Sequence, residues 1–243
     1  MSTPTSRGDV RSALVVTAHP DDVDFGAAGT VAVWTAAGVE VSYCVVTSGE
    51  ASGDSDRDAA EMARTRQAEQ RAAAAHVGVS DVTFLGYPDG AVVPSPALRR
   101  DITRVIRRVR PDRVLTWSPE INWEMVATTH PDHRATGEAA FAAVFPDARN
   151  PHAHRELLDD EGLEPWTVRE LWLTDSPPQL RNHAVDVTDT FDKKMAALRA
   201  HASQTGGNDA LERNLRRHFA DVARQFGLAD GLLAEAFQVV DTS

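Results

Sequence analysis

His19, Asp21, Asp22 and Asp24 place an imidazole and three carboxylates within six residues, and His130, Asp132 and His133 form a second cluster far along the chain. Two imidazoles and one carboxylate, taken as His19, Asp22 and His133, make a three-ligand set that leaves coordination positions for water and substrate. That is the pattern of catalytic zinc, whereas a closed four-ligand set is structural. The same donors suit non-haem iron(II), so Zn2+ is the first choice and Fe2+ stays open. Asp21 diverges from its neighbour Asp22 and is free to take a proton from water on the cation, whose pKa falls towards about 7 there. His130 lies across the site, and Asp132 is expected to hydrogen-bond it and hold it charged, because an opposite charge raises a histidine's pKa. A cationic His130 then shares the charge of a tetrahedral oxyanion with the metal. The plainer alternative is a set of helix-capping aspartates and core histidines.

Those residues need elements to carry them. Residues 13–18 are a short apolar run with almost no alternation, as in a strand covered on both faces of a parallel sheet. The first cluster follows at its carboxyl end, where open α/β sheets bind ligands. A second candidate strand, 113–117, precedes the second cluster, and the helical run 134–144 follows it. Two histidines three apart at a helix start can face the same way, so the clusters meet if the two strands are neighbours.

Taken in order, the pattern predicts a helix over 29–37 ended by Gly38, a strand over 39–47, a polar loop over 48–56, a long helix over 59–77 and a strand over 81–85. A helix over 97–109 follows, then the strand at 113–117 and a long connection, 118–129, whose Trp123 suits a loop over a pocket. Residues 146–165 show little periodicity, and His152 and His154 there read as solvated loop residues. Late strands are expected at 168–174 and 183–187, then a helix over 189–202. A last amphipathic helical region, 211–240, either covers the sheet or meets another subunit, which makes a homo-oligomer a compatible assembly. Alternating strands and helices without a Pro/Gly/Ser linker imply one α/β domain over 13–243, preceded by a flexible segment, 1–12.

The net charge of −11 argues against nucleic acid or an anionic membrane as partner. The arginines among 99–110 alternate with Ile102, Val105, Ile106 and Val109, as on the solvated face of an amphipathic helix. Cys44 is the single cysteine and sits in an apolar run, so no intramolecular disulfide forms and it reads as a small buried hydrophobe. No stretch approaches a membrane span of about twenty residues, and residues 1–11 lack the hydrophobic core of a signal peptide. A cytoplasmic location is expected.

Arg66 and Glu69, three apart on the long helix, read by spacing as a surface ion pair. Asp89, in the turn-rich Gly86-Tyr87-Pro88-Asp89-Gly90, is either a turn former or a polar group facing the site. Gly26-Ala27-Ala28-Gly29 after the first strand suggests a nucleotide-binding alternative, although the dinucleotide glycine spacing is not met.

With Ala18-His19-Pro20-Asp21-Asp22 and His130-Pro131-Asp132-His133 in this order, the chain resembles the LmbE-like or PIG-L family of metal-dependent N-acetylglucosaminyl deacetylases. Thr65-Arg66 with Glu69, residues 85–90, and Asp192-Lys193-Lys194 with the stretch from His201 to Gln204 extend the resemblance over 13–204. It implies a Rossmann-like three-layer sandwich with a mostly parallel central sheet, zinc on His19, Asp22 and His133, and Asp21 as general base. It also implies His130 as the acid or oxyanion-stabilising group with Asp132 oriented against it, and Arg66 as a substrate-side arginine, beside which Asp89 is the second substrate-side candidate. Val23 stands where members often carry Glu, and Thr128 where some carry a tyrosine. The expected reaction removes the N-acetyl group of a small-molecule amino sugar; the alternatives are an amidase for a thiol-conjugated amino sugar and a non-catalytic sugar- or nucleotide-binding protein.

Overall fold

The computed structural model describes residues 10–52, 58–206 and 210–243. Seven strands, β1 (Ser12–Thr17), β2 (Glu40–Thr47), β3 (Asp81–Tyr87), β4 (Arg113–Trp117), β5 (Glu170–Thr174), β6 (His183–Asp186) and β7 (Ala234–Asp241), line up in the order β3-β2-β1-β4-β5-β7-β6. Pairing from β3 to β5 is parallel throughout, and only β7 runs against its neighbours, so the sheet is mostly parallel as expected. The helices are α1 (Asp22–Gly26), α2 (Ala28–Ala36), α3 (Ala59–His76), α4 (Pro96–Val109), α5 (Pro131–Ala142), α6 (Arg155–Asp159), α7 (Phe191–Ala200), α8 (Ala202–Thr205) and α9 (Leu211–Gln225).

Every second residue of β1 goes to a different layer, and both layers are apolar. Ala13 and Val15 pack with α2 and α3 through Val31, Trp34, Ala73 and Val77, while Leu14 and Val16 pack with α4 and α5 through Leu98, Ile102, Ile106 and Ala139. This is why the strand lacks alternation in sequence: each side chain leaves water whichever way it points. Cys44 is buried in the second layer, as expected. The result is a three-layer α/β sandwich.

Strand order reverses between β1 and β4, which lie side by side in register from Ala13 with Arg113 to Val15 with Leu115. Crossovers leave in opposite directions at that point and open a crevice at the carboxyl ends. Gly137 of α5 packs against the Trp117 carbonyl so closely that a Cβ there has no room. That contact seats the start of α5, and with it the second histidine cluster, directly over the end of β4.

Three expectations need correction. The segment 211–240 is not helical throughout: Gly227, at φ +73°, ends α9, and Ala234–Asp241 inserts as an antiparallel strand between β5 and β6 with Phe237 fully buried. Apolar residues on both sides of that break satisfy a helical and a strand period equally well. The arginine face of α4 is not simply solvated either. Arg107 is buried and donates to the carbonyls of Asp147, Ala148, Asn150 and Ala153; Arg99 grips the Asp147 carboxylate at 2.8 and 3.0 Å, and His154 reaches the same carboxylate at 3.1 Å. Together they tie down the aperiodic segment, which also holds α6. Trp123 is 77 % exposed rather than folded over a pocket.

Residues 1–9 of the expected flexible segment, and 53–56 of the polar loop, lie outside the described residues; Ser12 already pairs with Glu40 in β1. Among the described residues no helix is long and apolar enough to cross a membrane.

One buried ion pair fixes the helical layer beneath the site. Lys194 and Glu235 meet at 2.8 Å with both side chains wholly inaccessible, and Glu235 also accepts from the amides of Gly29 and Thr30 at the start of α2. Removing one partner strands the other charge without water, which costs about 3–5 kcal/mol. Lys194→Ala is therefore expected to lower unfolding free energy in urea by about that amount, and a loss below about 1 kcal/mol would contradict the role given to the pair.

Candidate metal centre

Asp22 is the hinge of the site. It opens α1, and its Oδ2 accepts from the backbone amides of Ala18 at 3.0 Å and His19 at 2.8 Å and from the Trp117 indole at 3.1 Å. With one oxygen spent on the ends of β1 and β4, Oδ1 is aimed at two imidazoles: His133 Nε2 at 3.2 Å and His19 Nδ1 at 3.5 Å. Those two nitrogens are themselves 3.2 Å apart. A tetrahedral zinc with ligands about 2.0–2.1 Å away sets its donor atoms about 3.3 Å from one another. The triangle has that size, so the residues fit a cation of this kind.

Each imidazole is oriented by its other nitrogen. His133 Nδ1 lies 3.0 Å from the Thr128 carbonyl, an arrangement that puts the proton on Nδ1 and the lone pair of Nε2 towards the triangle. The ring also stacks on Trp117, with centroids 3.8 Å apart and planes 10° from parallel. His19 Nε2 faces Asp132 Oδ2 at 3.2 Å and Asp89 Oδ1 at 3.1 Å, leaving Nδ1 for the triangle. Burial pulls the His19 pKa down, but hydrogen bonds and charge from Asp22 and Asp89 outweigh it and lift it to about 11. For Asp22, burial opposes ionisation and the two imidazoles prevail, so its pKa lies well below the usual carboxylate range. So strong a pull on positive charge is what a divalent cation would answer.

Asp21 takes a left-handed backbone, φ +88°. The turn is held from outside: Gln70 Oε1 accepts the Asp21 amide at 2.8 Å, Gln70 Nε2 donates to Asp24 at 2.9 Å, and His201 Nε2 lies 2.8 Å from the same Asp24 oxygen. Burial and the Asp22 charge raise the Asp21 pKa while Arg66 and His201 oppose them, leaving it at about 7. Arg66 is not in a surface ion pair. Its buried guanidinium donates to Asp21 Oδ2 at 3.1 Å, the Pro20 carbonyl at 2.6 Å, the Gly49 carbonyl and Ser52, whereas Glu69 accepts from Ser203. Gly49, at φ +68°, leaves no room for a Cβ beside that guanidinium.

The Asp132 carboxylate does not reach His130 as expected. His130 caps α5, its Nδ1 accepting the Asp132 amide at 3.2 Å, while the Asp132 carboxylate turns inward to the amides of Gly90 and Val92 and to His19. Burial and the His19 and His133 charges lower the His130 pKa. Asp89 is anchored by the Ala51 amide and faces His19. Arg66, Asp89 and His130 line a polar cleft of about 440 Å³ together with His19, Asp21 and His133.

Nucleotide binding at Gly26-Ala27-Ala28-Gly29 finds no room, because the α2 amides that a pyrophosphate needs already bond Glu235. Gln70, Trp117 and Glu235 carry no motif of their own in sequence. His201 and Lys194 lie in a stretch whose resemblance was legible but whose contacts were not.

Residues 14–144 match the family model described as PIG-L: GlcNAc-PI de-N-acetylase. The chain belongs to the PIG-L family. The diacetylchitobiose deacetylase of Thermococcus kodakarensis is 32 % identical over 199 residues, covering 81 % of this PIG-L chain and 71 % of that protein. A probable N-acetyl-alpha-D-glucosaminyl L-malate deacetylase 2 of Bacillus cereus is 30 % identical over 201 residues, covering 80 % and 84 %. Among solved structures, N,N'-diacetylchitobiose deacetylase from Pyrococcus horikoshii superposes with a TM-score of 0.86 at 29 % identity, over 96 % of this chain and 85 % of that one. The PIG-L chain is thus a member of a family of N-acetylglucosamine-type deacetylases.

Trp117 joins the two strands through Asp22. Trp117→Phe keeps the ring on His133 but removes the N–H bond to Asp22, and loss of such a supporting bond costs roughly 10–100-fold in metal affinity. Zinc titration against a chromophoric chelator is expected to show a drop of at least tenfold; unchanged affinity would mean that Asp22 does not need this anchor.

Proposed function

We propose that this PIG-L protein hydrolyses the N-acetyl group of an N-acetylglucosamine-type substrate, releasing acetate and a free amine, with zinc as the first-choice cofactor on His19, Asp22 and His133 and iron(II) as the second. The observation that carries this reading is the triangle of donor atoms, 3.2, 3.2 and 3.5 Å on a side, at the mouth of a polar cleft. A divalent cation there supplies Lewis acidity for the acyl oxygen and a more acidic water.

The chain's own groups do the rest. Asp21, with a pKa of about 7, is poised to accept the proton of the attacking water and to return it to the departing nitrogen. Arg66 acts on the substrate side by holding the Asp21 carboxylate at 3.1 Å in the cleft wall, and Asp89 meets sugar hydroxyls along the cleft. His130 acts as a neutral donor: its Nδ1 accepts a backbone amide, so the proton resides on Nε2, which can bond the oxyanion. Asp132 steadies His19 in this reading. One seven-stranded sheet carrying both motifs supports residues 13–243 acting as a single domain. The location proposed is cytoplasmic, in keeping with the lone buried Cys44.

Diacetylchitobiose, GlcNAc-malate and GlcNAc-inositol conjugates are the first substrates to assay, being those named for relatives. Asp21→Asn is expected to retain the metal and to lose turnover by at least a hundredfold, in line with roughly 10²–10⁴ for a general base. His133→Ala is expected to lose the metal itself. Acetate release and elemental analysis on both proteins test this; full activity in Asp21→Asn would overturn the base assignment.

A further inference from the structure

A second cavity, about 360 Å³, adjoins the donor triangle at Asp22 and His133. Asp22, Ala127 and His133 line both this cavity and the polar cleft, so the two spaces meet at residues that would hold the cation. Its walls differ from those of the cleft. Leu215, Phe219 and Val222, spaced i, i+4 and i+7 on α9, face Phe25, Met125 and Trp117 across it.

Asp175, Arg181, His218 and Glu235 share the cavity with those apolar residues. Burial raises the pKa of Asp175, at the end of β5 with φ +52°, and Arg181 is the strongest charge opposing that rise, while Glu235 is paired with Lys194 at 2.8 Å. Burial, Arg181 and Lys194 lower the His218 pKa. The apolar residues on α9 and opposite it invite a hydrocarbon.

An amide centred on the triangle has two sides, a hydroxylated amine and an acyl group. The polar cleft with Arg66, Asp89 and His130 suits the sugar, which leaves the apolar cavity for the acyl group. An acetyl methyl is about the size of one water, of which about 360 Å³ would hold roughly a dozen at about 30 Å³ each. We propose that the cavity formed by α9, Phe25 and Met125 is an acyl-chain site, and that the protein hydrolyses N-acyl amino sugars whose acyl group is a medium-length hydrocarbon chain. The reaction balances as in deacetylation: water adds to the acyl carbon, the C–N bond breaks, the nitrogen leaves with a proton, and a fatty carboxylate and a free amino sugar result. This rests on the amidohydrolase reading above.

The test uses the zinc-loaded full chain with N-acetyl-, N-butanoyl-, N-hexanoyl- and N-octanoylglucosamine, with octyl N-acetylglucosaminide as the aglycone arm. At about fourfold per buried methylene, kcat/KM is expected to be at least tenfold higher for hexanoyl than for acetyl. Leu215→Trp, and independently Met125→Trp on an exposed loop, are expected to abolish that gain and leave acetyl turnover within about twofold. Calorimetric titration with octanoate and acetate reads the cavity without turnover: octanoate is expected to bind at least tenfold more tightly, and the difference to vanish in both variants. A flat acyl series, equal binding of the two carboxylates, or a gain confined to the octyl aglycone and blocked by Leu215→Trp overturns the proposal. Tighter octanoate binding that depends on Leu215, in a protein that hydrolyses none of the amides, would uphold the cavity and overturn the hydrolase reading instead.

Discussion

The Asp22 carboxylate is the constraint on which the rest of the site depends. One of its oxygens closes the end of β1 through two backbone amides and reaches β4 through the Trp117 indole; the other faces two imidazoles that arrive on different segments. A carboxylate so placed cannot rotate without giving up three donors, and hydrogen bonds to a charged group are the stronger kind. The topology makes the arrangement available, since β1 and β4 are neighbours where the strand order reverses. Gly137 then lets α5 approach β4 closely enough to deliver His133.

Around that core, the chain holds functional groups in place with buried polar chains. Asp21 keeps its left-handed backbone because Gln70, Asp24 and His201 form a line of hydrogen bonds behind it. Glu235 and Lys194 brace the helices under the same loop. Buried polar groups of this kind are costly unless satisfied, which is why their partners come from α3, α7 and β7, elements far apart in sequence.

Much of this was legible beforehand, for identifiable reasons. His19, Asp22 and His133 stand out because imidazole and carboxylate rarely crowd the end of an apolar strand without a role, and β1 and β4 read as buried because both their faces are. Other features were hidden by the same physics. Spacing on α3 suggested Arg66 with Glu69, but tertiary packing gave Arg66 to Asp21 and Glu69 to Ser203. Adjacency suggested Asp132 with His130, but the carboxylate turns inward to Gly90 and His130 instead caps α5 through the Asp132 amide. The last strand was lost in an amphipathic run because an apolar stretch interrupted by glycine fits either period until its neighbours are known.

The central claim is that His19, Asp22 and His133 share one cation. Zinc K-edge X-ray absorption on the zinc-loaded protein tests it most directly. The expected spectrum has one zinc per chain with two imidazole nitrogens and oxygen donors at about 2.0–2.1 Å; a bound zinc whose spectrum lacks imidazole scattering would contradict it.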